Sequence, residues 1–248
     1  MKIPRELSRR TWLGGLGFAA AGAAAVGWKT LRHSNGESDH HGLSLSDPKT
    51  SDEALARLVA GNECYIAEHF IFGDERRTQE RRLEVAPSQK PYAMVLACAD
   101  SRVSPEIVFN AGLGDLFVVR VAGNIVHPDC FGTFGSLEYG IEELKIPLLL
   151  VLGHEGCGAV KAAIKAIESG SVFPGKIGSL ADRIRPVVEV VAKQSGDLLR
   201  NAVAANVKQG VDRLQASNEI ISPNVASGRL KVVGGVYELE TGRVRLLA

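Results

Sequence analysis

The chain carries almost no excess charge: 29 Lys and Arg stand against 28 Asp and Glu in 248 residues, a formal net charge of +1. That balance leaves no electrostatic footprint for nucleic acid. The arginines that do cluster, Arg76, Arg77, Arg81 and Arg82, are interleaved with Glu75, Glu80 and Glu84, so they read as a solvated, salt-laced helix face. No internal repeat is apparent, which excludes a stacked-repeat architecture. Cysteine is scarce, and two of the four, Cys64 and Cys130, have no partner spacing and read as inert packing thiols. What the chain does have is 45% hydrophobic residues, enough to close one sizeable core and hardly two.

The N-terminus is compositionally separate. Ser8-Arg9-Arg10-Thr11-Trp12-Leu13 precedes an uncharged stretch over 13–28, rich in Ala and Gly, weakly hydrophobic and at the short limit for a membrane span. Residues 1–30 resemble a twin-arginine (Tat) export signal, with small-residue cleavage sites at Ala21-Gly22-Ala23 and Ala23-Ala24-Ala25. An uncleaved signal would serve as an N-terminal membrane anchor. The resemblance implies the Tat export machinery as a partner and a periplasmic or cell-envelope location, with membrane contact only through this segment. A twin-arginine substrate crosses the membrane folded, so buried thiols would arrive already ligated. Residues 31–49 turn to Ser, His, Gly and Asp and read as a flexible linker, whose His33, His40 and His41 are solvated.

The remainder, 50–248, reads as one domain. Thr50-Ser51-Asp52-Glu53 has the form of a capping box, and Leu55, Leu58, Val59 and Ile66 follow near a 3.6 period. Further helical patterns cover 131–145, 157–169, 177–193 and 197–214, the last with Leu199, Val203, Val207, Val211 and Leu214 on one face. Between them, 92–97, 116–121, 148–152 and 231–236 are short apolar runs without alternation, as in strands covered on both faces. This order predicts an α/β fold: a mainly parallel β-sheet flanked by helices, finished by a turn at Glu240-Thr241-Gly242 and an antiparallel C-terminal strand near 244–247.

Two segments that follow directly on apolar runs carry the chemistry, Cys98-Ala99-Asp100-Ser101-Arg102 and His154-Glu155-Gly156-Cys157. In an open parallel sheet the functional crevice lies beyond the carboxyl ends of the strands. Two thiolates and one imidazole meeting there form a zinc site with a fourth position left for water, the arrangement of catalytic rather than structural zinc. Cys157 falls in the first turn of a helix, where the backbone dipole favours thiolate over thiol.

Taken together these segments resemble the β-class carbonic anhydrases. The match runs from Leu58-Val59-Ala60-Gly61-Asn62 to the C-terminal hairpin, through Gln89-Lys90-Pro91-Tyr92, Gly114-Asp115-Leu116-Phe117-Val118-Val119-Arg120-Val121-Ala122-Gly123-Asn124, Ser136-Leu137-Glu138-Tyr139 and Gly153 to Gly158. The resemblance implies that 50–248 is a catalytic domain holding one Zn2+ per chain on Cys98, His154 and Cys157. It further implies reversible hydration of carbon dioxide to bicarbonate and a proton through a zinc-bound hydroxide. Two thiolates cancel the charge of the ion, so the metal acidifies its water less strongly than an all-histidine site. Asp100 would compensate by accepting a hydrogen bond from the hydroxide. Arg102 would hold Asp100 off the metal with a bidentate fork that Lys lacks. If that pair breaks, Asp100 becomes a fourth ligand in a closed state known in the family, and activity falls on acidification.

The same resemblance gives Gln89 and the backbone N–H of Gly158 the role of binding substrate oxygens. Phe117 and Tyr139 resemble aromatic residues that narrow the apolar approach, partly from a neighbouring subunit, which implies a homodimer or a higher homo-oligomer. Some members carry an allosteric bicarbonate site that uses a Trp three residues before the first zinc cysteine. Val95 stands there in this chain, and Arg120 alone of that site remains, so such regulation is not expected. The same ligands would suit a hydrolase of carbonyl sulfide or carbon disulfide. They would also suit a non-catalytic zinc or bicarbonate-binding module, against which the intact Asp100 and Arg102 argue.

Overall fold

The computed structural model describes residues 47–69, 77–217 and 219–247. The segment expected to be an export signal at 1–30, most of the expected linker with His33, His40 and His41, and the pair Glu75 and Arg76 lie outside the described residues. Among the described residues no helix is long and apolar enough to cross a membrane.

The elements run α1 (Ser51–Ile66), α2 (Gln79–Val85), β1 (Ala93–Ala97), α3 (Pro105–Val108), β2 (Leu116–Arg120), a 3-10 turn (Ala122–Asn124), α4 (Phe131–Glu142), β3 (Leu148–His154), α5 (Gly158–Ser169), α6 (Ile177–Val191), α7 (Leu198–Gln215), α8 (Ile221–Ala226), β4 (Lys231–Tyr237) and β5 (Val244–Leu247). The sheet order is β2-β1-β3-β4-β5. All pairs are parallel except β4 with β5, the fold class expected from the sequence. The capping box at α1 is present: the Thr50 hydroxyl accepts from the Glu53 N–H at 3.2 Å, and the Glu53 carboxylate accepts from the Thr50 N–H at 3.2 Å.

The pleat sends alternate side chains to opposite faces, and this sheet buries both. Met94, Leu96 and Cys98 pack with residues of α4, α5, α6 and α7, whereas Ala93, Val95 and Ala97 pack with α1 and α3. β1 and β3 are buried throughout, but Leu116–Val119 of β2 are only half-buried. The expectation of strands covered on both faces therefore fails for β2, because it is an edge strand with one sheet neighbour.

α7 lies close over β3 and β4 because glycines leave room for it. A Cβ on Gly153 would sit 2.5 Å from Val207 Cγ2. That proximity brings Asn206 Nδ2 to the carbonyl of Gly123 at 2.9 Å, beside the metal-ligand candidates.

Three local readings are corrected. α4 stops at Glu142 rather than at 145, since Lys145 adopts a left-handed φ of 53° that cannot continue a helix. Cys157 is the cap residue of α5 and not part of its first turn. Arg81 is not on a solvated face: its side chain folds inward to donate to the carbonyl of Leu113 at 2.9 Å and to pair with Asp115 at 3.2 Å, fastening α2 to the turn before β2.

Candidate metal centre

β1 and β3 are adjacent and parallel, with Ala97 in register with Leu152. Cys98 and His154 therefore emerge at the same carboxyl end. Gly156, at φ +67°, reverses the chain so that Cys157 returns to cap α5. One donor atom from each of Cys98, His154 and Cys157 lies within 4.8 Å of the others, and all three residues are buried. The two sulfurs are 4.0 Å apart, against ~3.8 Å for two sulfurs bound tetrahedrally at ~2.3 Å from zinc.

The imidazole is set up as a ligand. His154 Nδ1 lies 2.8 Å from the carbonyl of Glu155, which can only accept, so Nδ1 carries the proton and Nε2 presents its lone pair. Nε2 is buried with no hydrogen-bond partner. An orphan of that kind costs about 1–3 kcal/mol, and a cation shared with the two thiols would remove the cost. Two sulfurs and an imidazole nitrogen form a donor set that suits zinc.

The two thiols are pushed in opposite directions. The hydrogen bond from Cys157 draws the Cys98 thiol down to about 4 against the cost of burial, with the Gly123 N–H, 3.2 Å from Cys98 Sγ, also lowering it. Cys157 is pushed up, first by Cys98 and then by burial. The N–H groups of Ala159 and Val160 at the start of α5 oppose that rise, so the dipole argument for Cys157 holds in direction and is outweighed by Cys98 and burial. A divalent cation would take the place of the shared proton.

Asp100 and Arg102 form the expected fork. Arg102 Nε donates to Asp100 Oδ1 at 2.9 Å and Nη2 to Oδ2 at 2.8 Å, and the Arg102 backbone N–H adds a third bond at 3.0 Å. The guanidinium holds the Asp100 carboxyl well below the usual carboxylate range. Asp100 Oδ2 is 3.8 Å from His154 Nε2, beside the donor trio without touching it.

The other site candidates divide. Gly158 opens α5, is exposed and has no heavy atom within 4 Å of where a Cβ would stand. It directly follows Cys157 in the chain. Gln89 is exposed on the segment that enters β1 from the amino end of the sheet. Cys98 leaves the other end, ~16 Å along the strand from its first residue. Phe117 and Tyr139 meet each other, with ring centroids 6.3 Å apart. Phe117, however, is in register with Met94, four residues or ~13 Å short of Cys98. Within one chain these three side chains are not gathered at the donors. Val95 is fully buried.

Sequence reasoning missed the side chains that brace the ligands. Arg120 donates from Nε to the Cys98 carbonyl at 3.1 Å and from Nη2 to the Asp100 carbonyl at 2.6 Å. Its signal was its place as the one charged residue ending an apolar strand. Cys64 is half-buried in α1, where burial pushes its thiol up. Cys130 accepts a hydrogen bond from Arg183 Nη1 at 3.4 Å and so is more than a packing thiol.

The family model for carbonic anhydrase matches residues 93–244. The chain is 37% identical over 205 residues to a carbonic anhydrase of Mycolicibacterium smegmatis, covering 81% of this chain and 94% of that one. Among solved structures it is similar to a Coccomyxa β-carbonic anhydrase in complex with acetazolamide, with TM-score 0.59, 32% identity, and coverage of 79% of this chain and 82% of that one. It is also similar to tetrameric β-carbonic anhydrases of Sordaria macrospora, with TM-score 0.61, 25% identity, and coverage of 76% and 91%. The matched stretch spans both ligand-bearing strands and the sheet that carries them, and the chain belongs to the β-class carbonic anhydrase family.

Proposed function

We propose that the chain catalyses the reversible hydration of carbon dioxide to bicarbonate and a proton, with one zinc ion held by Cys98, His154 and Cys157. The observation that carries this reading is the buried, unpartnered His154 Nε2 gathered within 4.8 Å of two buried sulfurs that lie 4.0 Å apart. Bound there, zinc would supply a Lewis acid that makes water nucleophilic near neutral pH. Asp100, kept ionised by Arg102, accepts a hydrogen bond from the attacking water and aims its lone pair at the carbon. The fork of Arg102 also keeps Asp100 from filling the position that water needs. The Gly158 N–H donates to a substrate oxygen, as a helix N-terminus does to an anion.

Gln89, Phe117 and Tyr139 take part through assembly. The half-buried apolar edge of β2 and the partly exposed Tyr139 favour a homo-oligomer, at least a dimer, in which these residues serve a neighbouring subunit's approach. The tetrameric Sordaria relatives support that arrangement.

Twin-arginine export to the periplasm or cell envelope is the reading for 1–30. It is supported by the order of Arg9-Arg10 and the uncharged stretch. A reporter fusion should lose export when Arg9 and Arg10 become Lys, and unchanged export would overturn this reading.

Stopped-flow assays on zinc-loaded protein test the reaction. Carbon dioxide should be hydrated at the expense of added indicator base. Preference for carbonyl sulfide or carbon disulfide, or inactivity with a full zinc complement, would contradict the proposal.

A further inference from the structure

The carboxylate of Asp100 is gripped by Arg102, but a carboxylate is aimed only as well as the backbone that carries it. We propose that Arg120 is a positioning residue: by holding the carbonyls of Cys98 and Asp100 it fixes the peptide from which Asp100 projects. This inference rests on the zinc reading above.

The backbone explains why a side chain is needed. β2 pairs with β1 as far as Ala97, and the last rung is the Val121 N–H to the Ala97 carbonyl at 3.0 Å. Beyond it, β2 turns away through the 3-10 turn, with Gly123 at φ 74°. The carbonyls of Cys98 and Asp100 thus lose their strand partner where the chain carries a ligand sulfur and then the carboxylate. Arg120 continues the ladder with its side chain, Nε to Cys98 at 3.1 Å and Nη2 to Asp100 at 2.6 Å. The Asp100 carbonyl also closes a turn to the Val103 N–H at 3.0 Å.

A guanidinium donates in a fixed planar fork, so one side chain sets the spacing of two carbonyls two residues apart. Asp100 is then held at two levels, its carboxylate by Arg102 and its carbonyl by Arg120. Oδ2 lies only 3.8 Å from His154 Nε2. Rotation of a released 98–100 segment would let the carboxylate move onto the metal position. Lys at 120 would keep the charge and satisfy one carbonyl.

The test compares wild type, Arg120→Met, Arg120→Lys, Asp100→Asn and the double variant Arg120→Met with Asp100→Asn. Each is measured as zinc protein for turnover and as cobalt(II) protein for its visible spectrum, which reports the ligands of the metal. Arg120→Met should keep one metal per chain, shift the cobalt bands and lower kcat by about tenfold, the scale of one charge-assisted hydrogen bond, with little change in KM. Arg120→Lys should fall between. In the Asp100→Asn background, Arg120→Met should change neither spectrum nor rate, because its effect runs through Asp100.

An unchanged rate and spectrum in Arg120→Met would overturn the proposal, as would an equal loss in the Asp100→Asn background. If Arg120→Met does not fold, Arg120→Lys decides: a shifted spectrum and partial loss support the role, and wild-type behaviour overturns it. Failure of the zinc reading is separate, since it shows as metal-free wild type before any variant is compared.

Discussion

Replacement of Arg102 by Lys and by Gln separates geometry from charge. In the wild type two side-chain bonds of 2.9 and 2.8 Å hold both carboxylate oxygens of Asp100, while the backbone N–H at 3.0 Å holds one. Lys keeps the charge but has no planar fork, so it retains at most one of the two side-chain contacts. Arg102 is half exposed, and solvent screening reduces each bond to the lower end of the charge-assisted range. Losing one such contact should lower turnover by about fivefold. Gln loses the charge as well and should lower it by about thirtyfold.

The pH profile moves too. Arg102 depresses the Asp100 carboxyl in the folded protein, so in wild type Asp100 stays ionised throughout the mildly acidic range. Its contribution, to turnover and to stability alike, is present above the unfolded value and lost only as pH falls through the depressed one. In Arg102→Gln the carboxyl returns toward the ordinary ~3.9, and the acidic limb of the rate profile should rise toward pH ~4–5. Stopped-flow carbon dioxide hydration with parallel zinc analysis measures both effects. The reasoning fails if Lys matches Arg, or if Lys and Gln are equally poor with zinc retained.

Removal of zinc by a strong chelator should lower Tm, because the three donors are gathered only in the folded chain. Readdition should restore it, and an unmoved melting curve would refute metal binding at a folded site. Asp100→Asn should keep its zinc and lose turnover, and undiminished turnover would contradict the role given to that carboxylate. Gly153→Ala places a Cβ 2.5 Å from Val207 Cγ2 and should cost about 1–3 kcal/mol of stability in urea unfolding; no change would mean that α7 is not seated as described. Phe117→Asp should shift the assembly toward monomer in sedimentation, whereas an unchanged oligomer would place the interface elsewhere.

The strands were legible because burial on both faces of β1 and β3 leaves a continuous apolar run, which β2 imitates without the same burial. Cys98 and His154 could be placed at one end for the same reason, since a parallel sheet sends every strand's carboxyl end to one side. α1 was readable from Thr50 and Glu53, whose capping exchange is local. α3 was not, as its four residues Pro105–Val108 are too few for a period. The half-burial of β2 depends on sheet order, which local pattern does not encode. The contacts of Arg120 were not legible for a related reason: its partners are carbonyls 20 and 22 residues away, and every residue has a carbonyl.

The central claim is that Cys98, His154 and Cys157 hold one zinc ion and leave a position for water. X-ray absorption at the zinc edge of the protein as purified tests it most directly. The account predicts one zinc per chain with two sulfurs at ~2.3 Å and two lighter neighbours at ~2.0 Å, and Cys157→Ser should remove one sulfur or the metal. A metal-free protein, a coordination shell without sulfur, or a spectrum indifferent to Cys157 would contradict it.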